Sequence, residues 1–187
     1  QLKTNFLSVT SHELRTPMAS IKGFVQIMHQ RMLGEITDEQ EKGLVVVLRN
    51  IDRLDHLVQD ILDISRLESG TMQFVPQPVT ATELVTEAVG SVQPAASLRH
   101  ITIGTDTDPA LPLLSLDKNR IIQVLVQLLN NAIKFSPEQT TITVRVKPEG
   151  DSVLFEVQDQ GRWIPADSLE KIFEIFYQVE SGLDRKY

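Results

Sequence analysis

The sequence predicts an α+β chain: a helical hairpin forming a dimeric four-helix bundle, followed by an α/β sandwich with a mixed sheet. Three observations predict it. Apolar residues recur at alternating spacings of four and three on both sides of Gly34, a capping box opens the second run, and from residue 71 helical rhythm gives way to stretches of strict alternation. With 187 residues, 41% hydrophobic and 23% charged, the chain has room for one large or two small domains with a real core, and its composition excludes disorder. The longest apolar run, Leu44 to Leu48, falls far short of the roughly 20 residues that cross a bilayer, so no membrane contact is expected from it. The absence of cysteine excludes disulfides, thiol catalysis and Cys-ligated zinc, and suits a reducing compartment. A net charge of −7 is the opposite of a nucleic-acid footprint, so no nucleic-acid partner is expected. The sequence opens at Gln1 with no signal-peptide pattern, which reads as a cytoplasmic fragment of a longer protein whose own membrane attachment stays open.

The first helix is expected from Leu7, Ser11, Leu14, Met18, Ile21, Val25, Met28 and Met32, the a/d seam of a long amphipathic helix with one polar intruder at Ser11. Gly34 is expected to end it. Thr37-Asp38-Glu39-Gln40 then has the form of a capping box and starts a second helix with the seam Leu44, Val47, Ile51, Leu54, Val58 and Ile61, stopped by Ser69-Gly70. Two helices with one apolar stripe each cannot enclose a core, and two such hairpins packed as a four-helix bundle bury all four stripes. A homodimer through residues 1–70 is therefore expected.

Residues 71–79 read as a linker and first strand, and 80–187 as the second domain. Met72 to Val79 carries two prolines and reads as an edge strand; Thr80-Ala81-Thr82-Glu83 is another capping box, leading into a helix with Leu84, Val85, Ala88, Val89 and Val92 on one side. His100 to Thr105 reads as a short strand, and Asp117 to Phe135 as a helix whose apolar side includes Ile121, Leu125, Leu128 and Ala132. Ile142, Val144 and Val146 alternate with polar residues, Glu149-Gly150-Asp151 turns the chain, and Val153, Phe155 and Val157 alternate on the return to Asp159.

Of the four histidines, His12 has an unusual setting, Ser11-His12-Glu13-Leu14-Arg15-Thr16-Pro17 inside the first helix. A zinc-protease H-E-x-x-H is excluded because position 16 is Thr. His12 is one residue, about 100°, round from the seam, which places it at the bundle edge where a nucleophile would stand. A neutral imidazole has one lone pair, and a neighbouring carboxylate such as Glu13 fixes its tautomer and stabilises the charge that develops on attack. Pro17 lacks the amide that would bond the Glu13 carbonyl, so the helix is expected to bend or loosen there. A surface histidine beside an incidental proline has the same local appearance.

The second domain has no glycine-rich phosphate loop of either common type. Gln127, Asn131 and Lys134, spaced by four and three, form a polar stripe along their helix. Amide oxygens are hard ligands suited to Mg²⁺ that also holds phosphate oxygens, and Lys134 offers a compact positive charge. An ordinary solvent face of an amphipathic helix looks the same. Asp159, at a strand end, can accept a hydrogen bond from an adenine amino group, and it is equally the residue that ends many strands.

The segment from Ser11 to Pro17 resembles the H-box of the sensor histidine kinases of two-component signalling, S-H-E-L-R-T-P, at all seven positions. The resemblance implies that His12 is the phosphoacceptor, Glu13 the assisting base, and Thr16 a water-positioning residue when the phosphorylated partner is dephosphorylated. Asn131-Ala132-Ile133-Lys134 is similar to the second half of the family's N-box, which implies ATP as substrate and Asn131 as a Mg²⁺ ligand, with Gln127 in place of the pattern's first Asn. Asp159-Gln160-Gly161-Arg162-Trp163-Ile164 resembles the G1 box D-x-G-x-G-I, with Trp163 at the second glycine, so ATP binding is expected to weaken. Phe173-Glu174-Ile175-Phe176 resembles the F-box whose aromatics help anchor the nucleotide lid, and the glycine-rich G2 box expected next does not follow before Tyr187.

Taken together, the resemblance implies phosphoryl transfer from Mg-ATP to His12 and on to an Asp of a response-regulator receiver domain, with residues 70–78 as the hinge between acceptor and donor. A gyrase B or MutL type ATP-gated clamp shares the N-box and G1 logic but lacks an H-box on a preceding hairpin. A second alternative is a dimerisation and docking module whose nucleotide site is damaged at Gln127 and Trp163.

Overall fold

The computed structural model describes the backbone of residues 2–174 and 177 and the side chains of residues 13–174 and 177. The chain separates into two compact units, Gln1–Gln73 and Phe74–Tyr187.

The first unit is a pair of helices, α1 (Leu2–His29) and α2 (Asp38–Glu68). Helix α1 continues through Pro17 and ends earlier than Gly34: Arg31 takes the left-handed conformation (φ 59°), and the Met32 amide reaches back to the Ile27 carbonyl at 3.1 Å. Met32, expected on the seam, therefore lies beyond the helix. The Arg31 guanidinium then ties the turn by binding Glu35 and Glu41, both at 3.2 Å. The second helix starts with the expected capping box, Thr37 Oγ1 accepting from the Gln40 amide at 3.2 Å while Gln40 Oε1 accepts from the Thr37 amide at 2.8 Å. It ends at Ser69, with Gly70 left-handed at φ 65°.

Packing divides the predicted seam. Ile51 and Val58 are buried together with Leu62, whereas Val47 (41% exposed), Leu54 (50%) and Ile61 (37%) are left open, and on α1 Leu14, Ile21 and Met28 are left open too. One set of seam positions faces the other helix of the hairpin, and the other set faces outward.

The second unit runs β1 (Gln77–Val79), α3 (Ala81–Leu98), β2 (Thr102–Thr107), β3 (Leu114–Leu116), α4 (Lys118–Phe135), β4 (Thr141–Glu149) and β5 (Ser152–Gln158), followed by short 3₁₀ turns at Ala166–Ser168 and Lys171–Phe173. Strands β2, β4 and β5 form a mixed sheet, β2 parallel to β4 (Ile103 opposite Ile142) and β4 antiparallel to β5 (Val146 opposite Phe155). The edge strand expected over 72–79 shrinks to three residues, paired antiparallel with β3, because Pro76 and Pro78 offer no amide to a ladder. The β2 strand lies two residues later than the sequence pattern suggested; His100 takes φ 55° in the turn that closes α3.

Leu84, Val85, Ala88 and Val92 of α3, Leu125, Leu129, Ala132 and Ile133 of α4, and Ile142, Val144 and Val146 of β4 form one buried cluster. On α4 the core position is Leu129, 1% exposed, and not the expected Leu128, 40% exposed. The Thr80 cap is half a box: its hydroxyl accepts from the Glu83 amide at 3.2 Å, but the Glu83 carboxylate binds Lys118 at 2.6 Å. Lys118 also meets Glu87 at 2.5 Å, so both acids clamp α3 to the start of α4 and raise the Lys118 pKa. Asp117 caps α4 through the Arg120 amide at 3.2 Å and binds the Val75 amide at 3.0 Å; the Val75 bond, then the Arg120 bond, hold its pKa below the usual carboxylate range.

Candidate phosphoacceptor helix and nucleotide site

The backbone of the heptapeptide Ser11 to Pro17 lies within α1. The side chain of His12 is outside the described residues, as are those of Leu7 and Ser11. Glu13 and Thr16 are exposed. Two polar ties set α1 against α2 here: Arg15 reaches Gln59 (3.0 Å) and Asp55 (3.8 Å), and Lys22 binds Asp52 at 2.7 Å, which raises the Lys22 pKa.

In the second unit, Gln127, Asn131 and Lys134 are all exposed on one side of α4, opposite the Leu125–Leu129–Ala132 stripe that fixes the helix against the sheet. Neither amide makes a side-chain hydrogen bond among the described residues, so both oxygens are available to a hard cation. No cluster of three or more acidic or histidine side chains suited to a metal occurs among those residues; a cation here would depend on amide, phosphate and water oxygens, which is the donor set Mg²⁺ accepts beside a nucleotide. The residues present fit it.

The end of α4 is held from two directions. Arg99, the C-cap of α3, donates from Nη1 to the Ile133 carbonyl and to the Lys134 carbonyl at 3.0 Å, satisfying acceptors that a helix end leaves open. From the other direction comes the turn after β5. The Gly161 amide donates to Asp159 Oδ1 at 2.6 Å, and a Cβ added at Gly161 would stand 2.8 Å from that oxygen and 3.1 Å from the carbonyl carbon and oxygen of Phe135. A Cβ there would crowd the backbone of Phe135, so glycine suits the close approach of this turn, two residues past Asp159, to the end of the helix bearing Asn131 and Lys134. Asp159 Oδ2 remains for a donor such as an adenine amino group. The Phe135 ring joins the two sides, with Lys134 Nζ 4.9 Å and the Arg162 guanidinium carbon 5.2 Å from its centre.

Trp163 is 90% exposed and its backbone is not left-handed, so the positive φ that would require glycine there is absent. Ile164 is 37% and Phe173 83% exposed; Phe176 lies outside the described residues. Sequence reasoning missed Arg99, Phe135 and Arg162. Phe135 and Arg162 adjoin quoted motifs and could have been found there, but Arg99 meets Lys134 across 35 positions with no local signal.

Residues 2–70 match the His Kinase A (phospho-acceptor) domain, and residues 116–186 match the histidine kinase-, DNA gyrase B- and HSP90-like ATPase family. The chain belongs to the sensor histidine kinases. A gyrase-type clamp would share the second match but not the first. Among curated histidine kinases and sensors, the circadian input-output histidine kinase CikA of Synechococcus elongatus is 32% identical over 99% of this chain and 25% of its own length. The aerobic respiration control sensor protein ArcB of Escherichia coli is 37% identical over 96% of this chain and 23% of its own. The chain thus spans about a quarter of the length of these relatives. Among solved structures, full-length ShkA in complex with AMPPNP superposes with a TM-score of 0.80 at 27% identity, covering 93% of this chain and 37% of ShkA. The histidine kinase ThkA, crystallised with the response regulator TrrA, shares the fold with a TM-score of 0.62 at 24% identity, over 93% of this chain and 50% of that one. No described helix of this histidine kinase chain is long and apolar enough to cross a membrane.

Proposed function

We propose that this chain is the core of a cytoplasmic, ATP-dependent protein histidine autokinase, with residues 1–70 as the dimerising phosphoacceptor domain, 71–79 as linker, first strand and hinge, and 80–187 as the ATP-binding domain. The observation that carries the proposal is the pairing, in one chain, of an H-box helix with an exposed Asn131–Lys134 stripe whose end is clasped by the Asp159–Gly161 turn.

In the proposed reaction a neutral imidazole nitrogen of His12 attacks the γ-phosphorus of ATP. A P–N bond forms, the bond from phosphorus to the bridging oxygen breaks, and ADP leaves with the electron pair. Glu13 takes the proton from the other ring nitrogen. Asp159 reads the adenine amino group and Lys134 faces phosphate charge, with Gly161, Trp163, Ile164, Phe173 and Phe176 around the nucleotide. Bound Mg²⁺ neutralises phosphate charge, and Asn131, assisted by Gln127, would hold it. The phosphoryl group then passes to an Asp carboxylate of a response-regulator receiver domain, and Thr16 positions water when that regulator is dephosphorylated.

Dimerisation is supported by the outward apolar set Leu14, Ile21, Met28, Val47, Leu54 and Ile61, which a second hairpin would cover. Incubation with radiolabelled ATP and Mg²⁺ tests the proposal. Acid-labile, base-stable label is expected on the wild type and none on His12→Gln. A dimer that takes no label would favour a docking module instead.

A further inference from the structure

Arg15 stands three residues after His12 on α1, a spacing that sets the two positions on one face of a helix. Its guanidinium leans on α2, with Nη2 donating to Gln59 Oε1 at 3.0 Å and Nε 3.8 Å from Asp55 Oδ1. Gln59 is itself oriented, because its Nε2 donates to Asp63 Oδ1 at 3.1 Å, and Asp63 is a carboxylate only 7% exposed. A carboxylate accepts and does not donate, so the Gln59 amide nitrogen must face Asp63 and its oxygen must face Arg15.

Arg15 is thus parked and not trapped. Its side chain is 46% exposed and that of Asp55 54% exposed, and an exposed ion pair of such length holds weakly. A phosphoryl group carries close to two negative charges and three strong acceptor oxygens. One turn away, it would outcompete Asp55 for a planar guanidinium that binds phosphate through two parallel hydrogen bonds.

We propose that Arg15 is a phosphoryl clamp, held by Asp55 and Gln59 while His12 is unmodified and moved onto the phosphoryl oxygens once His12 carries the group. Gln59 is a positioning residue in this scheme, since it acts through Arg15. The inference rests on the reading of His12 as phosphoacceptor. Its consequence is a longer-lived phosphohistidine. In hydrolysis the water oxygen bonds to phosphorus, the P–N bond breaks with its electron pair going to the ring nitrogen, and a water proton ends on that nitrogen. A guanidinium held against the group opposes the protonation that makes imidazole a good leaving group.

The test is the half-life of phosphohistidine in the whole chain at one pH, after loading from ATP with Mg²⁺ or from phosphoramidate and removal of the donor. Arg15→Gln is expected to shorten it about tenfold, the scale of a lost hydrogen bond to a charged group, and Arg15→Lys to fall between. Asp55→Asn removes the competing anion and is expected to lengthen it about two- to threefold. Opposite signs at Arg15 and Asp55 are the signature, because loosening of the hairpin would move both the same way. Equal signs or unchanged half-lives, with helix content and molecular mass preserved, would overturn the clamp. A wild type that takes no label from either donor sinks the phosphoacceptor reading and the clamp with it; label from phosphoramidate but not from ATP faults the ATP-binding domain and leaves the half-lives to judge Arg15.

Discussion

The two units bury their apolar residues to very different degrees. In the second unit Leu84, Ile142, Val144, Val146 and Leu129 are 0–1% exposed, whereas the best-covered apolar side chains among the described residues of the hairpin, Leu62, Ile51 and Val58, keep 7–8%. Exposed Phe24, Leu54, Leu57 and Ile21 add a broad apolar surface to the hairpin. The difference teaches that α3, α4 and the sheet close a core within one chain, while α1 and α2 leave part of their apolar seam open, the part that the proposed dimer would cover. Dimerisation and phosphoacceptance would then belong to the same unit for a physical reason, since a bundle that is incomplete alone is stable only where two chains meet.

That contrast can be broken most strongly at the open seam. Leu54→Glu, placing a charge where a second hairpin would pack, is expected to turn the dimer into monomers by light scattering while leaving the second unit's thermal transition in place. A wild type that stays monomeric at high micromolar concentration would remove the four-helix bundle. The converse change is Ile142→Ala, a cavity in the closed core. It is expected to lower the stability of the second unit by about 2–4 kcal/mol in denaturant melts, with the dimer preserved.

At the proposed nucleotide site the decisive contact is steric. Gly161→Ala would bring a Cβ to 3.1 Å from backbone atoms of Phe135, which cannot swing away. ATP affinity, measured by calorimetry, is expected to fall about tenfold as the Asp159 turn moves off the end of α4, a loss on the scale of one hydrogen bond to a charged group. Trp163→Gly is expected to do far less, tightening binding by about threefold or less, because the indole faces solvent and its backbone is not left-handed; this corresponds to under about 1 kcal/mol.

Much of this was legible because it is local. The Thr37 box, the Ser69-Gly70 stop, the alternation of Ile142, Val144 and Val146 and the spacing of Gln127, Asn131 and Lys134 are all encoded within a few residues. The division of the hairpin seam into a covered and an open set was not, since a heptad pattern marks a seam without saying which neighbour takes each half. Strand β3 is three residues long, too short for its Leu-Ser-Leu alternation to stand out from a loop, and Arg99 reaches the end of α4 from a position 35 residues away. Trp163 stands at a consensus glycine, and a motif position does not say whether the glycine there serves a left-handed backbone, which this turn does not use, or close approach of a ligand.

The smallest expected effect is a pH dependence confined to the second unit. Asp117 has a folded pKa below its unfolded value, so its capping contribution is complete above the ordinary carboxylate range, about 4, and is lost as pH falls through the lowered folded value. Lys118 runs the other way: its folded pKa is raised, so its ties to Glu83 and Glu87 stabilise fully below the usual lysine value and are lost only as pH rises through the raised one. Asp117→Ala should lower the neutral-pH melting temperature slightly and flatten its acid-side decline, as thermal melts across the acid range would show.

The most direct measurement separates donor from acceptor. Wild type, His12→Gln and Asn131→Ala chains are each offered labelled ATP with Mg²⁺ and, separately, phosphoramidate, and acid-labile label is counted. With His12 as acceptor and α4 as part of the ATP site, the wild type takes label from both donors and His12→Gln from neither. Asn131→Ala is expected to take it from phosphoramidate alone. Acid-labile label on His12→Gln, or undiminished labelling of Asn131→Ala from ATP, would contradict that division of labour.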